Sequence, residues 1–255
     1  MFNFDKRILY VILAIMVIAN IATRLNSKDG LLITLVTLPA ILIAITFHEF
    51  AHAFAADRLG DETPRSQGRL TLNPLAHIDP IGLGLLIVAG FGWGKPVQIN
   101  PSKFNRKVSM TTGEVIVSIA GPLMNFLLAI VFSVIMALMF KFNWFTNVEA
   151  KAYWLIVIFI LENILINVGL GVFNLIPLPP LDGSKIISGI LPYNARNWFE
   201  KNAQIFYIVF LFIWITGIAG LIISPAIKGI TGGLLTIVGK IFGIDLATLA
   251  KIFGI

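Results

Sequence analysis

The sequence predicts an all-α polytopic membrane protein with five or six transmembrane helices and one short re-entrant or β-hairpin segment associated with the membrane. Three observations carry this. Hydrophobic residues make up 57% of the 255 and charged residues 13%, against about 45–50% and about 25% in a soluble domain. The apolar residues are gathered into blocks, several long enough to cross roughly 30 Å of hydrocarbon. Most Lys and Arg lie in the polar stretches between those blocks. There is no cysteine, which excludes disulfides and thiolate metal sites. The net charge of +6 comes without a basic cluster interleaved with aromatics, so the expected partner is the lipid bilayer and not nucleic acid.

The first apolar block runs from about Ile8 to Ala22 behind Lys6 and Arg7. With no small-x-small cleavage site before Asn26, it reads as an uncleaved span. The second runs from about Leu31 to Ala56. The third, Ile81 to Trp93, holds only about a dozen residues, four of them glycine, too few for a straight crossing. It reads as re-entrant or membrane-lying, with a β-hairpin as the alternative. Val115 to Phe140, Trp154 to Ile176 and Ile205 to Ile223 follow as spans. The tail, Ala226 to Ile255, reads as a sixth span or an interfacial amphipathic helix. Its KIFGI element recurs at Lys240 and Lys251, which would put both lysines on one helical face. The whole chain, 1–255, is expected to form one integral membrane domain.

Charge placement orients it. With a cytoplasmic N-terminus and alternating spans, Lys6, Arg7, Arg58, Arg65, Arg69, Lys95, Lys103, Arg106, Lys107, Lys185, Arg196 and Lys201 fall on the cytoplasmic side. Only Arg24, Lys28, Lys141 and Lys151 fall opposite, the tail lysines aside. This is a positive-inside bias, and it directs the C-terminal end of the second span toward the cytoplasm.

At that end stands HEFAH: His48, Glu49, Phe50, Ala51, His52. Residues four apart share a helix face, so both imidazoles can bind one ion. Zinc accepts such nitrogen ligands tetrahedrally and keeps a position open for water in catalytic sites, where Glu49 could act as general base. Ionisable groups inside an apolar run are costly and point to function. A third ligand is needed. The candidates are Asp182, Glu162, His77 and Glu114. His52 lies six residues before Arg58, about 9 Å inside the helix end. Asp182 follows Pro177, Pro179 and Pro180, which break the fifth block near the same face and let the chain fold back. Glu162 is roughly 21 Å from that end, His77 lies in the polar segment NPLAHIDP, and Glu114 resembles a first-turn helix residue. Geometry ranks Asp182 first.

Three segments together resemble the site-2 protease family: HEFAHAFAADRLGD (His48 to Asp61), SIAGPLMN (Ser118 to Asn125) and NLIPLPPLDG (Asn174 to Gly183). The loop NPLAHIDPIG (Asn73 to Gly82) is similar to the compact prokaryotic branch of this family. The resemblance covers about residues 45–190 and implies a catalytic core of about 31–190. It implies one zinc ion per chain held by His48, His52 and Asp182, with Glu49 activating water. It implies that Asn174 holds the substrate backbone or the oxyanion; capping broken backbone near the prolines is its plainer role. Asn125 would support the site or simply bond between helices. The family cuts peptide bonds within or beside transmembrane segments of membrane-protein substrates, as in regulated intramembrane proteolysis. No stretch between the blocks is long enough for a PDZ domain, and the tail shows no CBS pair.

A helical substrate must unwind before water attacks, and the stretch Gly90 to Phe104, with Val97, Gln98 and Ile99 near its centre, could offer a strand edge for it. Val97→Pro would then impair cleavage with zinc still bound. A membrane-lying connector is the alternative. The rival function is a membrane metal-binding or metal-transport protein using the same three donors. Against it, the donors sit toward one face, no repeat pairs the halves, and a transporter has no need of Glu49.

Overall fold

The computed structural model describes residues 30–89, 94–105, 107–145, 147–252 and 254. The first apolar block, with Lys6, Arg7, Arg24 and Lys28, lies outside the described residues, as do Gly90–Trp93 and Arg106. Three long apolar helices form the centre: α1 (Gly30–Arg58), α5 (Met110–Lys141) and α6 (Ala150–Asn174). Each is long and apolar enough to cross a membrane, as is a fourth, α10 (Ile218–Phe242).

Small residues set how closely these helices approach. On α1, Ala40, Ala44, His48, His52 and Ala56 are buried at four-residue steps. On α5 the matching stripe is Gly113, Val117, Gly121, Asn125, Ala129 and Ser133. Rows at i±4 interlock when side chains are small, and lipid leaves close packing as the main force between helices. α6 packs against both with Val157, Leu161, Ile164, Val168 and Gly171. An apolar core containing Met136, Met139, Ile160, Leu235 and Leu246 joins α5 and α6 to α10.

Between α1 and α5 the chain makes short turns: α2 (Thr63–Ser66), α3 (Pro74–His77), α4 (Pro80–Ala89) and a 3₁₀ turn over Pro101–Lys103. Three of them begin the same way, with an Asx side chain and then proline. Asn73 Oδ1 accepts from Leu75 N–H, Asp79 Oδ1 from Ile81 and Gly82 N–H, and Asn100 Oδ1 from Ser102 N–H. The proline lacks the amide that a first turn cannot use, and the Asx oxygen satisfies one that follows. The third apolar block is therefore helical over Pro80–Ala89, not a β-hairpin. At ten residues it extends about 15 Å, half a crossing. Its flanks meet in an antiparallel bridge between Ile78 and Gly94.

Beyond α6 come α7 (Asp182–Ile190), α8 (Tyr193–Lys201), α9 (Ala203–Ile215), α10 and α11 (Leu246–Ile252). Two expectations fail here. The block Ile205 to Ile223 is not one span: Gly217, at φ 74°, ends α9 after thirteen residues, and the long helix begins at Ile218. The tail expected to begin at Ala226 is thus the body of α10. Gly243, at φ 72°, closes α10, so Lys240 and Lys251 sit on different helices and share no face. Both breaks use a left-handed turn that glycine adopts at no steric cost.

Candidate metal centre

α1 presents His48 and His52 one turn apart, both buried. After α6 the chain turns through Pro177 to Pro180, and α7 begins at Asp182. Asp182 Oδ2 comes to 3.2 Å from Nε2 of each histidine, and the two Nε2 atoms are 3.0 Å apart. The turn needs Gly183, because a Cβ there would strike the backbone carbonyls of Leu175 and Ile176.

Hydrogen bonds behind the rings fix the tautomers. His52 Nδ1 lies 2.7 Å from the Val117 carbonyl, which can only accept. His48 Nδ1 lies 2.6 Å from Asn125 Oδ1. The orientation of Asn125 is set by its amide, which donates to the Ala44 carbonyl at 3.2 Å and to Asn167 Oδ1 at 2.8 Å. Asn167 in turn donates to the Asn163 carbonyl. Both Nδ1 atoms are thus donors, and both Nε2 lone pairs face Asp182. With both rings neutral, three acceptors converge, and Asp182 Oδ2 is buried without a donor. A cation resolves this arrangement. Metal–ligand bonds of about 2.0–2.1 Å at tetrahedral angles put ligands about 3.3 Å apart, close to the observed 3.0–3.2 Å. The donor set fits zinc, and among the described residues no other such group occurs.

Gly121 lets α5 reach this cluster. A Cβ there would lie 2.6 Å from Cε1 of both His48 and His52, so only glycine fits between the rings and the α5 backbone. Pro122 follows it and supplies no N–H to the turn, which loosens α5 beside the site.

The cluster opens into a cavity of about 170 Å³ lined also by Glu49, Val97, Ile99, Ser118, Asn174 and Lys185. At about 30 Å³ per molecule, it holds several waters. A second cavity of about 310 Å³ shares Pro180 and Lys185 with the first and carries Glu114, Arg196 and Glu200. There, hydrogen bonds from Ser188 and Arg196 hold the Glu200 carboxyl below its ordinary range.

The residues singled out in the sequence distribute as follows. His48, Glu49, His52, Asp182 and Asn174 line one cavity. Asn125, on α5, sits behind His48 and bonds to α1 and α6. Asn174 Nδ2 donates to the Leu170 carbonyl at 3.1 Å, tying the last turn of α6. Glu114 belongs to the second cavity. His77 is buried with Nε2 on the Thr71 carbonyl and, like the half-buried Glu162, lines neither cavity. Residues 95–100 form neither helix nor strand, and Val97 N–H is spent on Glu49 Oε2 at 2.9 Å. Val97→Pro would therefore disturb Glu49 as well as any strand edge. Asn167, the Val117 carbonyl and Val97 N–H were not found by sequence reasoning. Asn167 alone left a signal there, an amide at four-residue spacing from Asn163 inside an apolar run.

Comparison with known proteins identifies the family. The family model described as peptidase family M50 matches residues 149–217. A Bacillus subtilis protein, YwhC, is 37% identical over 202 residues, which is 79% of this chain and 90% of YwhC. The chain belongs to peptidase family M50. The family's Rip2 proteins are also similar. Rip2 of Mycolicibacterium smegmatis is 35% identical over 146 residues, 56% of this chain and 52% of that protein. Rip2 of Mycobacterium tuberculosis strain H37Rv is 30% identical over 192 residues, 74% and 66% respectively. YwhC and Rip2 are named as candidate zinc metalloproteases. No solved structure matches significantly. This M50 member is a multi-pass membrane protein, as its apolar helices require.

Proposed function

We propose that the chain is an intramembrane zinc metalloprotease that hydrolyses peptide bonds within or next to transmembrane segments of other membrane proteins. The observation that carries this is the convergence of two Nε2 atoms and one carboxylate oxygen beside a second, uninvolved carboxylate, Glu49. A cargo-binding site has no use for that extra carboxylate, whereas hydrolysis needs a base.

His48, His52 and Asp182 would hold the zinc, which when bound supplies Lewis-acid activation of water and of the scissile carbonyl. Glu49 takes the proton from the attacking water and returns it to the leaving amine. Asn174 lines the same cavity, with one amide hydrogen on Leu170 and the rest of its amide available to the substrate backbone or oxyanion. Asn125 and the Val117 carbonyl keep both imidazoles in the binding tautomer. Pro96, Val97 and Ile99 border the cavity where an unwound substrate segment would lie. Residues 1–255 act as one domain, and the positive-inside bias supports a cell-membrane protein with its N-terminus and site opening toward the cytoplasm.

The test compares wild type with Glu49→Gln in detergent, using a single-span substrate and counting zinc in both. Cleavage by wild type alone, with about one zinc in each, is expected. Zinc without cleavage in either protein would favour the metal-binding reading, and absence of zinc from both would remove the basis of the proposal.

A further inference from the structure

Three buried polar residues stand outside the metal cluster on the loop that follows α1: Asp61, Arg69 and His77. Buried polar and charged groups are costly unless their bonds are used. The side chains of Asp61 and Arg69 and the backbone carbonyl of His77 all bond to one stretch of chain, residues 94–100. Asp61 Oδ2 accepts from Asn100 N–H at 2.6 Å, while its Oδ1 accepts from Thr63 N–H at 3.0 Å. Arg69 donates to the carbonyls of Ala76 and Lys95. The His77 carbonyl accepts from Lys95 N–H at 2.8 Å, next to the bridge between Ile78 and Gly94. Gln67 adds a side-chain bond to Gln98, and Ile99 packs on the apolar cluster of Ala56, Phe104 and Val117. A segment without helix or strand is thus fastened at both ends, and its centre carries the bond from Val97 N–H to Glu49 Oε2.

We infer that Val97 is a positioning residue for the Glu49 carboxylate, and that Asp61, Arg69 and the His77 carbonyl hold the strap that carries it. This rests on the proteolytic reading above. A glutamate side chain has three rotatable bonds, and a carboxylate that swings cannot keep an oxygen aimed at a water. One N–H on Oε2 fixes the group and leaves Oε1 for the proton. A backbone donor suits this task, because it has no rotamers of its own to order and its bond to a carboxylate is charge-assisted. The strap needs its buried anchors because an isolated segment without helix or strand would not hold the amide still.

The experiment removes only the N–H. The valine analogue with a hydroxyl in place of the amine, incorporated at position 97 by nonsense suppression, turns that amide into an ester and keeps the side chain. The same exchange at Gln98 deletes an N–H that does not reach Glu49 and serves as the control. With a single-span substrate, the ester at 97 is expected to lower kcat by about ten-fold to a hundred-fold, with KM and zinc content unchanged; the ester at 98 leaves all three as in wild type. A second readout needs neither metal nor substrate. The chain has no cysteine, so Ile99→Cys gives a single half-buried thiol on the strap, whose maleimide labelling rate reports whether the strap lifts. In zinc-free protein, labelling stays at the background rate with the ester at 97 and rises with Asp61→Ala. A wild-type kcat for the ester at 97 overturns the inference. So does a loss of kcat accompanied by faster labelling, which would make the bond a fastener of the strap alone. Failure of the proteolytic reading looks different: wild type itself cleaves nothing, and the positioning role falls with it.

Discussion

Replacing Gly121 with alanine tests how tightly α5 is fitted to the metal site. The added Cβ would sit 2.6 Å from Cε1 of His48 and of His52, where carbon atoms prefer about 3.5–4.0 Å. The overlap is therefore about 1 Å against each ring. The rings cannot retreat freely, since their Nδ1 atoms are held at 2.6 and 2.7 Å by Asn125 and the Val117 carbonyl. Either α5 moves away, loosening both of those bonds, or the rings turn and carry Nε2 out of place. Metal–ligand distances tolerate about 0.2 Å, so either response spoils the cluster. Overpacking of this kind costs about 1–3 kcal/mol of stability, which a helix bundle of this size can absorb. The expected phenotype is a folded protein whose zinc affinity falls by about ten-fold to a hundred-fold, with cleavage reduced by about a hundred-fold. Zinc titration with a competing chelator, read beside cleavage of a single-span substrate, measures both. Gly171→Ala is the control for packing alone, because the three atoms nearest its Cβ all belong to the Phe126 ring, at 2.9–3.1 Å. A Gly121→Ala protein with wild-type zinc affinity and turnover would refute the claimed fit.

Three further outcomes are expected. Asn125→Leu removes the acceptor that fixes the His48 tautomer and should weaken zinc binding by about ten-fold to a hundred-fold, measurable by the same titration. Asn174→Ala should retain zinc yet lose activity by about a hundred-fold; unchanged turnover would leave Asn174 only its bond to Leu170. Chelation should abolish cleavage, and stoichiometric zinc should restore it; activity that survives complete zinc removal would contradict the proposed chemistry.

Much of the site was legible because its side chains have distinctive chemistry. His48, Glu49 and His52 announce themselves by spacing inside an apolar helix, and the prolines before Asp182 point to the fold-back that brings it near. What escaped was of two kinds. The Val117 carbonyl and Val97 N–H are backbone groups, and no residue identity encodes them. Asn167 acts only through Asn125, and its partner becomes visible only once α5 and α6 are side by side. In the fold, the error at Gly217 has a similar cause. Apart from Thr216, apolar residues flank that glycine on both sides, so hydropathy stays high through a position where the backbone turns left-handed.

The amides behind His48 also bear on how the protein is made. Asn163 and Asn167 lie buried in α6 beside the half-buried Glu162, and such residues resist entering lipid alone. α5 precedes α6 in the chain and already carries Asn125, the acceptor's counterpart for Asn167. During synthesis α6 can therefore leave the translocation machinery against a waiting partner and not into bare hydrocarbon. Asp182 emerges only afterwards, so the third donor arrives last. The nascent chain accordingly holds a pair of histidines without their carboxylate until α6 has been made.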